Sequence, residues 1–569
     1  MPSKSVLIAQ AFSKTGVLST VVDSAPSIDT GLDLLAIDQN IIPSLDSSYN
    51  LGSPTHKWKD MYLSGGTLHI GGVVIKEDTA NPGKIVFEDS AGSVAFSTSG
   101  SLEVSASGTL ANGNLVVINS DGTVSVVSET TPTESIGSPT IFESAEIYQH
   151  ASTYDVNANR IVICYADGGN SYHGTAVVGE VSGTSITFGT PVVFNTNGTD
   201  YTCITYDANA QKVVIGYKNN NKLTAIVGTV SSNSISFGTA SILTGPNPYD
   251  PNVVYDANAQ KVVFTYRDNA NNNYGGAVVG TVTGTSISFG SHVVFQSSSI
   301  YSPELAYDEN AQKIVVFFRD VGNNNNCTAK VGTISGTSIT FGSAATTINN
   351  SYENAIVYAA NAQKMVVIYR DANNSGKGTY RIGTVSGTSI TLSSPVVFYN
   401  GNGYNYNAAY DAGAEKITIS FFDASNSNDG TLINGSVGAS SITFGTATVF
   451  DTGFAVGPWV SYDSFNKKMV IAYENNGNNQ YGTAIVFQNA GGLETNLTST
   501  NYIGISDGAY SNGETAIIQT AGSVDDAQSG LTIGKQYFVQ TDGTLSTSPG
   551  TPSVFAGTAI SSNKIIIKG

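Results

Sequence analysis

One phrase of about a dozen residues returns seven times along this chain at a nearly constant interval. It reads YDANAQKVVIGY from Tyr206 and YDANAQKVVFTY from Tyr255. The other copies, some of them looser, begin at Tyr154, Tyr307, Tyr358, Tyr410 and Tyr462. Successive copies are 52, 49, 52, 51, 52 and 52 residues apart. A fixed period near 50 residues predicts a repeat architecture, in which each copy is one supersecondary unit that packs on its neighbours.

Each period contains four segments rich in Val, Ile, Tyr and Phe, which turn residues separate. In the second copy we predict strands over Tyr201–Asp207, Lys212–Lys218, Lys222–Val230 and Ser234–Leu243. Seven repeats of four antiparallel strands predict an all-β chain whose main part is a seven-bladed β-propeller.

The two ends of the repeat array predict how the ring closes. The last copy stops after Gly482–Gly492 and lacks its fourth strand. Before the first copy, the segment IGSPTIFES (Ile136–Ser144) is similar to FGTPVVFNT (Phe188–Thr196), the end of a fourth strand. We therefore expect residues 136–490 to form the propeller, with the N-terminal strand completing the last blade and removing an exposed sheet edge.

Shorter β-rich segments flank the predicted propeller. The segment from Gly108 to Val127 is similar to the one from Ser529 to Ser548, and both contain an Asp-Gly hairpin. We expect residues 100–135 and 491–569 to pack together as one β module, with the propeller inserted between them. Residues 49–99 read as a further β-rich module, and residues 1–48 as an attachment or stalk segment.

The connections between strands differ in how much they vary. The turns YDANAQK and SGTS recur, and both belong to one face of the ring. On the opposite face, the loops between strands two and three and the links between blades change from copy to copy. Variable loops rich in Tyr, Asn, Gly and Ser on a rigid scaffold indicate a binding face. The predicted ligand-binding residues are Tyr148, Tyr201, Tyr249, Tyr301, Tyr352, Tyr404, Tyr406, Phe454, Trp459, Asn271, Asn323 and Asn373.

A structural interpretation of the same residues stays open at this point. The recurrent tyrosines mostly share strand parity with the tyrosine of the phrase, so they are also suited to packing between blades. The Asn-rich loops are also what turns that require positive φ would select.

Charge and composition exclude several functions. The net charge is −18, and no basic stripe of the kind that nucleic acid or an anionic membrane requires is present. No apolar segment is long enough to span a membrane. Cys164, Cys203 and Cys327 fall at unrelated positions of the repeat, which predicts small buried residues and no metal site or cofactor.

The sequence contains little that suggests catalysis. GISDG (Gly504–Gly508) matches a nucleophile elbow in form, but the last histidine is His292, so the required later histidine is missing. The acidic residues of the loop face occupy one equivalent position per blade, which favours turn chemistry over a unique carboxylate pair. His150 and His173 are the one local pair of histidines. We expect no enzymatic activity, with depolymerase activity as the open alternative.

Two flanking stretches resemble a known family. YNLGSPTHKWKDMYLSGGTLHIGGVVI (Tyr49–Ile75) and the segment from Asn496 to Ile560 resemble segments of tail-fibre and other virion proteins of tailed bacteriophages, notably phages of marine bacteria and cyanobacteria. The resemblance implies a homotrimeric fibre on the virion, made in the host cytoplasm. It also implies that the N-terminus attaches to other virion tail proteins and that a distal domain touches the host.

Together these features predict a receptor-binding fibre protein. Its partner would be a host-cell surface glycan or an outer-membrane protein, bound by the variable loop face. Two alternatives remain: a depolymerase of envelope polysaccharide that uses the same face, and a structural or decoration fibre that binds no receptor.

Overall fold

The computed structural model describes residues 100–346 and 351–568, together with the backbone of four short strands upstream. These four strands form one antiparallel sheet in chain order: Leu68–Ile70, Val73–Glu77, Ile85–Asp89 and Gly92–Val94. The attachment segment expected at residues 1–48, and the remainder of the module expected at 49–99, lie outside the described residues.

Seven four-stranded antiparallel sheets follow one another between residues 135 and 488, a range the structure describes except for 347–350. The innermost strand of each sheet contacts the innermost strands of the sheets before and after it, and the seventh contacts the first. This cyclic order is that of a β-propeller, so the predicted all-β propeller fold is confirmed.

The innermost strands have two forms. In four blades, a strand of 16 residues forms the outer edge of one blade and then the innermost strand of the next; these are Thr140–Asp155, Val293–Asp308, Val396–Asp411 and Thr448–Asp463. In the other three blades the innermost strands are separate elements: Asp200–Asp207, Pro248–Asp256 and Ser351–Ala359.

The second and third strands form the middle of each blade. The second strands are Arg160–Asp167, Lys212–Asn219, Lys261–Asp268, Lys313–Asp320, Lys364–Asp371, Lys416–Asp423 and Lys468–Asn475. The third strands are His173–Ser182, Lys222–Ser231, Tyr274–Thr283, Asn326–Ser335, Lys377–Ser386, Asp429–Val437 and Tyr481–Gln488. Short 3₁₀ turns join them in four blades: Gly168–Asn170, Val321–Asn323, Ala372–Asn374 and Asn476–Asn478.

Short strands complete the outer edges of the blades. They are Ser135–Ile136, Ser185–Phe188, Val192–Gly198, Ser234–Phe237, Ser241–Ile242, Ser286–Phe289, Ser338–Phe341, Ala345–Thr346, Ser389–Leu392 and Ile442–Phe444. The seventh blade takes its outer strand from the N-terminal side of the repeat array. Ile136 pairs with Phe487, and Thr140 pairs with Ala484, so the sheet ladder itself joins the two ends of the ring.

The repeated phrase forms a turn whose hydrogen bonds are local and strong. The Asp207 carboxylate accepts a hydrogen bond from the backbone N–H of Ala210 at 2.9 Å. Gln211 then adopts a left-handed conformation with φ of 54° before the second strand begins. Aspartate suits the first position because its short side chain can satisfy a backbone donor of its own turn.

The tyrosine of each phrase binds the turn of the preceding blade. The Tyr255 hydroxyl accepts a hydrogen bond from the backbone N–H of Asn209 at 3.2 Å. The same bond joins Tyr307 to Asn258, Tyr358 to Asn310, Tyr410 to Asn361 and Tyr462 to Gly413. In the first blade, the Tyr154 hydroxyl donates a hydrogen bond to the side-chain oxygen of Asn159 at 3.0 Å.

The core lies between neighbouring blades. In one such interface, Val263 of the third blade packs with Phe295, Ile300, Val316 and Phe318 around the fourth. Both faces of a middle strand contact another blade, so the second strands are apolar almost without interruption. All three cysteines are buried, as predicted.

The two flanks share one module. Ser101–Ser105 pairs with Thr515–Gln519, and Leu115–Ile118 pairs with Tyr502–Ser506. The other flanking strands are Val124–Val126, Glu129–Thr130, Glu494–Thr495, Val524–Asp525, Gln536–Val539, Leu545–Ser546, Val554–Ala559 and Ile565–Ile567. Val117 and Val539 belong to the same buried cluster, so the N-terminal and C-terminal parts stabilise one another.

The flanking module joins the propeller on the face of the repeated turns. In the first blade, Ser182 and Ser185 end the ladder of strands three and four at the SGTS turn. In the seventh blade the corresponding ladder ends at Gln488 and Ser135, and the chain passes into the module there. Lys468 of the seventh blade also lies 3.6 Å from Glu494 of the module. The variable loops therefore lie on the side away from the module.

We predict that Tyr307→Phe lowers the free energy of unfolding of the full chain by about 1 kcal/mol, because the N–H of Asn258 loses its acceptor between two blades. Urea titration measures this as a lower midpoint. Tyr274→Phe, at the start of a third strand on the opposite face, is the matched control. Equal midpoints for the two variants would show that the hydroxyl contributes nothing to blade packing.

Candidate binding site at the mouth of the central channel

The innermost strands all break register at one position. Each has a β-bulge there, with a residue of positive φ five residues before the tyrosine of the phrase. These residues, with φ between 44° and 58°, are Gln149, Tyr201, Asp250, Ser302, Glu353, Asn405 and Gly457. A bulge re-aims a side chain and ends regular pairing. The seven positions are geometrically equivalent but chemically different.

Two adjoining cavities occupy the mouth of the channel, on the face of the variable connections. Their volumes are about 360 and 260 Å³. The bulge residues line them, and both cavities share Gln149, His150, Ser302, Glu304 and Trp459. Because every blade contributes a bulge, the repeat supplies a concave site whose wall differs in each blade.

Carboxyl groups dominate the larger cavity, whose lining residues include Glu304, Glu353 and Glu474. Burial raises the pKa of Glu304 to about 8, and its carboxyl accepts a hydrogen bond from Asn252 Nδ2 at 2.7 Å. Burial also raises the pKa of Glu474 to about 7. Near neutral pH both groups therefore hold a proton for much of the time and can donate it in a hydrogen bond.

His150 lines both cavities but is held by the scaffold. Burial lowers its pKa to about 4, so the imidazole is neutral. Its Nε2 atom donates a hydrogen bond to the carbonyl oxygen of Ala472 at 3.2 Å. This hydrogen bond joins the first blade to the seventh. The geometry of His150 does not indicate a catalytic pair with His173.

Trp459 is the predicted binding residue that lines both cavities. Its Nε1 atom donates a hydrogen bond to the Ser152 carbonyl oxygen of the first blade at 3.1 Å, which fixes the ring orientation. Tyr148 lines the larger cavity and is 48% exposed; Tyr201 lines the smaller one. These three are the predicted aromatic residues that the structure brings to the mouth with some exposure.

The other recurrent tyrosines form a ladder with cations on the rim. Tyr249 lies between Lys218, at 3.8 Å from the ring centre, and Arg267, at 4.9 Å. Tyr301 lies between Arg267, at 4.5 Å, and Arg319, at 5.4 Å. Each cation thus contacts the tyrosines of two neighbouring blades and joins them through cation–π contacts.

The ladder continues into the sixth blade. Arg319 lies 4.0 Å from the ring centre of Tyr352, and Arg370 lies 4.5 Å from that of Tyr404. Phe422 then replaces the cation and stacks on Tyr404 at 5.3 Å with an interplanar angle of 8°. These contacts pack neighbouring blades together, in agreement with the structural interpretation of the recurrent tyrosines, while Tyr301 is still 40% exposed.

Two further predicted residues are also engaged in packing. Tyr406 is only 4% exposed, and its ring lies 5.6 Å from Phe398 and 5.2 Å from Phe421 in the core of its blade. Phe454 packs edge-on against Phe422 at 4.9 Å. Tyr406 is nevertheless among the residues that line the larger cavity.

The predicted asparagines lie in the turns between strands two and three. Asn271, Asn323 and Asn373 occupy the first turn of these loops, and residues of positive φ follow each of them. After Asn271 these are Asn272 and Asn273, with φ of 53° and 61°. Asparagine tolerates this conformation, so the loops are explained by backbone geometry.

The sequence contained one unused signal for the bulges. Pro251, Pro303 and Pro458 occupy the same position in three innermost strands, directly after the residue of positive φ. Proline cannot donate to a sheet ladder and is confined to edges and bulges. Alignment of the seven repeats on these prolines identifies Gln149, Ser302, Glu353 and the other wall residues, which the pattern of aromatic residues does not reveal.

Comparisons with known proteins add the following. No protein-family model matches the sequence, and no curated protein is similar to it. A structure of the NanB sialidase from Streptococcus pneumoniae is similar at 12% identity, covering 63% of this chain and 70% of that one, with a TM-score of 0.37. A protein of unknown function from Dyadobacter fermentans is similar at 10% identity, covering 63% and 99%, with a TM-score of 0.38. Likenesses this weak identify neither an activity nor a ligand.

Within the described part of the chain, no group of three or more His, Cys, Asp and Glu residues is arranged to hold a metal ion. Among the same residues, no helix is long and apolar enough to cross a membrane.

We predict that Glu304 makes the stability of the chain depend on pH. Its pKa rises from 4.5 to about 8 on folding, so its stabilising contribution is complete below about pH 4.5 and is lost as the pH rises toward 8. Glu304→Gln keeps an acceptor for Asn252 but does not titrate. The wild-type Tm should therefore fall more between about pH 5 and about pH 8 than that of the variant.

The control for this measurement is Glu309→Gln, at an exposed glutamate in a turn of the opposite face. It should retain the wild-type pH dependence. Parallel Tm curves for the wild type and Glu304→Gln would contradict the assignment of a buried, protonated carboxyl.

Proposed function

We propose that this chain is a fibre protein of a tailed-phage virion and that it binds a host-cell surface glycan at the mouth of the propeller channel. The observation that carries the proposal is the position of the cavity. The flanking module leaves the propeller at Gln488 and Ser135, whereas the cavity opens on the opposite face. A site that points away from its attachment is placed to meet a second surface.

The lining of the cavity fits a saccharide. Hydroxyl-rich ligands need several hydrogen-bonding groups and an apolar surface for the sugar ring. Trp459 and Tyr148 supply aromatic surface, and Gln149, Ser302 and Asn405 supply polar groups. Raised pKa values let Glu304 and Glu474 donate as well as accept hydrogen bonds.

The assignment to a virion rests on the resemblance of the flanking stretches to phage tail-fibre proteins. The same resemblance supports three further parts of the proposal: the chain forms a homotrimer, its N-terminus attaches to other virion tail proteins, and it is located on the virion. An outer-membrane protein is the other receptor class that such a face accommodates. These parts of the proposal depend on the sequence, since the propeller itself carries no family signature.

One observation favours a second candidate, a polysaccharide depolymerase. Glu304 and Glu474 line one cavity, and the pKa values of both are raised toward neutrality. A carboxyl that stays protonated near pH 7 is suited to act as a general acid on a glycosidic oxygen. Release of oligosaccharides from a bound glycan would support this candidate.

The test of the binding site removes wall side chains without straining the backbone. Glycine adopts positive φ freely, so Gln149→Gly, Glu353→Gly and Asn405→Gly in one chain truncate the wall at three bulges. We expect at least a tenfold loss of affinity, about 1.4 kcal/mol, on an immobilised panel of bacterial envelope polysaccharides.

The matched control carries Gln211→Gly, Gln260→Gly and Gln312→Gly. These residues also have positive φ, between 53° and 54°, but lie in turns of the opposite face. It should bind like the wild type. An equal loss in both variants, or no loss in the first, would refute the location of the site. A full chain that binds neither a glycan nor bacterial cells would support a purely structural fibre.

A further inference from the structure

The rim of the binding face has four basic side chains, although the protein as a whole is acidic. The net charge of the chain is −18, and it has only five arginines. Three of them, Arg267, Arg319 and Arg370, occupy the same position of the second strand in consecutive blades. Lys218 occupies that position in the blade before them. We call these four residues the cationic arc.

The members of the arc differ in how they are paired. Lys218 lies 3.8 Å from Asp200, and Arg267 lies 3.2 Å from Asp250. The guanidinium of Arg319 donates two hydrogen bonds to the Asn325 side-chain oxygen, at 3.1 and 2.8 Å. These are bonds to a neutral amide, which leave the positive charge of the guanidinium uncompensated.

Arg370 repeats this arrangement in the next blade. Its Nε atom donates a hydrogen bond to the Asn402 side-chain oxygen at 2.8 Å. A guanidinium has five N–H donors, so most of them remain available to a ligand or to water. Within the described residues, neither Arg319 nor Arg370 has a carboxylate within ion-pair distance.

The opposite side of the rim has the reverse charge. At the arc position, the seventh blade has Glu474 and the first has Ala166. Glu146 lies close enough to Glu474 to raise its pKa further, and Asp167 has the same effect on Glu143. At the arc position, blades seven and one therefore lack the positive charge that blades two to five carry.

The ladder also fixes the arc in space. The guanidinium carbon of Arg319 lies 5.4 and 4.0 Å from the ring centres of Tyr301 and Tyr352, and that of Arg370 lies 4.5 Å from that of Tyr404. A planar group held in this way loses little conformational entropy when it binds carboxylate or phosphate.

We infer that Arg319 and Arg370 of the cationic arc form an anion-binding subsite and that the ligand is an acidic glycan, with carboxylate or phosphate groups that lie along blades four and five. This inference rests on the proposed function and defines its ligand class. The carboxyl-lined cavity takes an uncharged part of the same glycan, because a second negative group there would face Glu353 and the partly ionised Glu304 and Glu474.

The experiment measures binding of the full chain to three soluble polymers: polygalacturonate, phosphomannan and neutral dextran. The wild type should bind at least one acidic polymer more tightly than dextran by about tenfold or more, and added salt should weaken this binding. The two acidic polymers distinguish a preference for carboxylate from one for phosphate. Arg319→Gln combined with Arg370→Gln should lose at least about tenfold in affinity for that polymer.

Two further variants separate the arc from its packing role. Arg319→Lys with Arg370→Lys keeps both charges and should retain most of the salt-dependent binding. Lys313→Gln with Lys364→Gln removes the same charge from the start of the second strands, on the opposite face, and should bind like the wild type. A melting curve for each variant shows whether the fold is retained.

Several results would overturn the inference: no binding of either acidic polymer, unchanged affinity after loss of both arginines, or an equal loss in the opposite-face variant. Failure here is distinguishable from failure of the proposed function. One combination of results would retain the proposed site and reject the acidic ligand. In it, the variant with the three wall glycines loses binding to the glycan panel, whereas the variant that lacks both arginines keeps it.

Discussion

The hydrogen bond from the tyrosine of one blade to the turn of the blade before it underlies the rest of this structure. Each phrase supplies an acceptor at Tyr255 or its equivalents and a donor at Asn209 or its equivalents, so each copy is complementary to its own neighbours. An isolated blade satisfies neither end. The interaction therefore favours a closed ring, and the N-terminal strand from Thr140 achieves closure by pairing with the last blade.

The phrase tyrosine fixes one end of each innermost strand, so the residues at the other end can differ from blade to blade. Five residues separate the phrase tyrosine from the bulge in every blade, so the repeated face sets the position of the variable face. Residues as unlike as Gln149, Asp250 and Gly457 can occupy the bulge because its geometry comes from the backbone. The same strand thus carries the scaffold at one end and the candidate site at the other.

The all-β propeller and its strands could be predicted from the sequence because both depend on local signals, namely alternation, turn residues and a fixed period. The site could not, because it depends on contacts between blades. Tyr301 reads as a binding aromatic in the sequence, and only the closed ring places Arg267 and Arg319 of two different blades against it. The pKa of Glu304 is equally hidden, since it follows from burial that only the closed ring creates.

The contacts that join neighbouring blades at the rim change around the ring. Blades two to six are joined at the rim by tyrosine, cation and phenylalanine contacts, which fill the space between neighbouring rings. Blades seven and one share a long strand, as blades three and four and blades five and six also do. At blades seven and one the cation of the ladder is replaced by Glu474 and Ala166, and Tyr148 is 48% exposed. The open and chemically distinct part of the face therefore lies where the two ends of the repeat array meet.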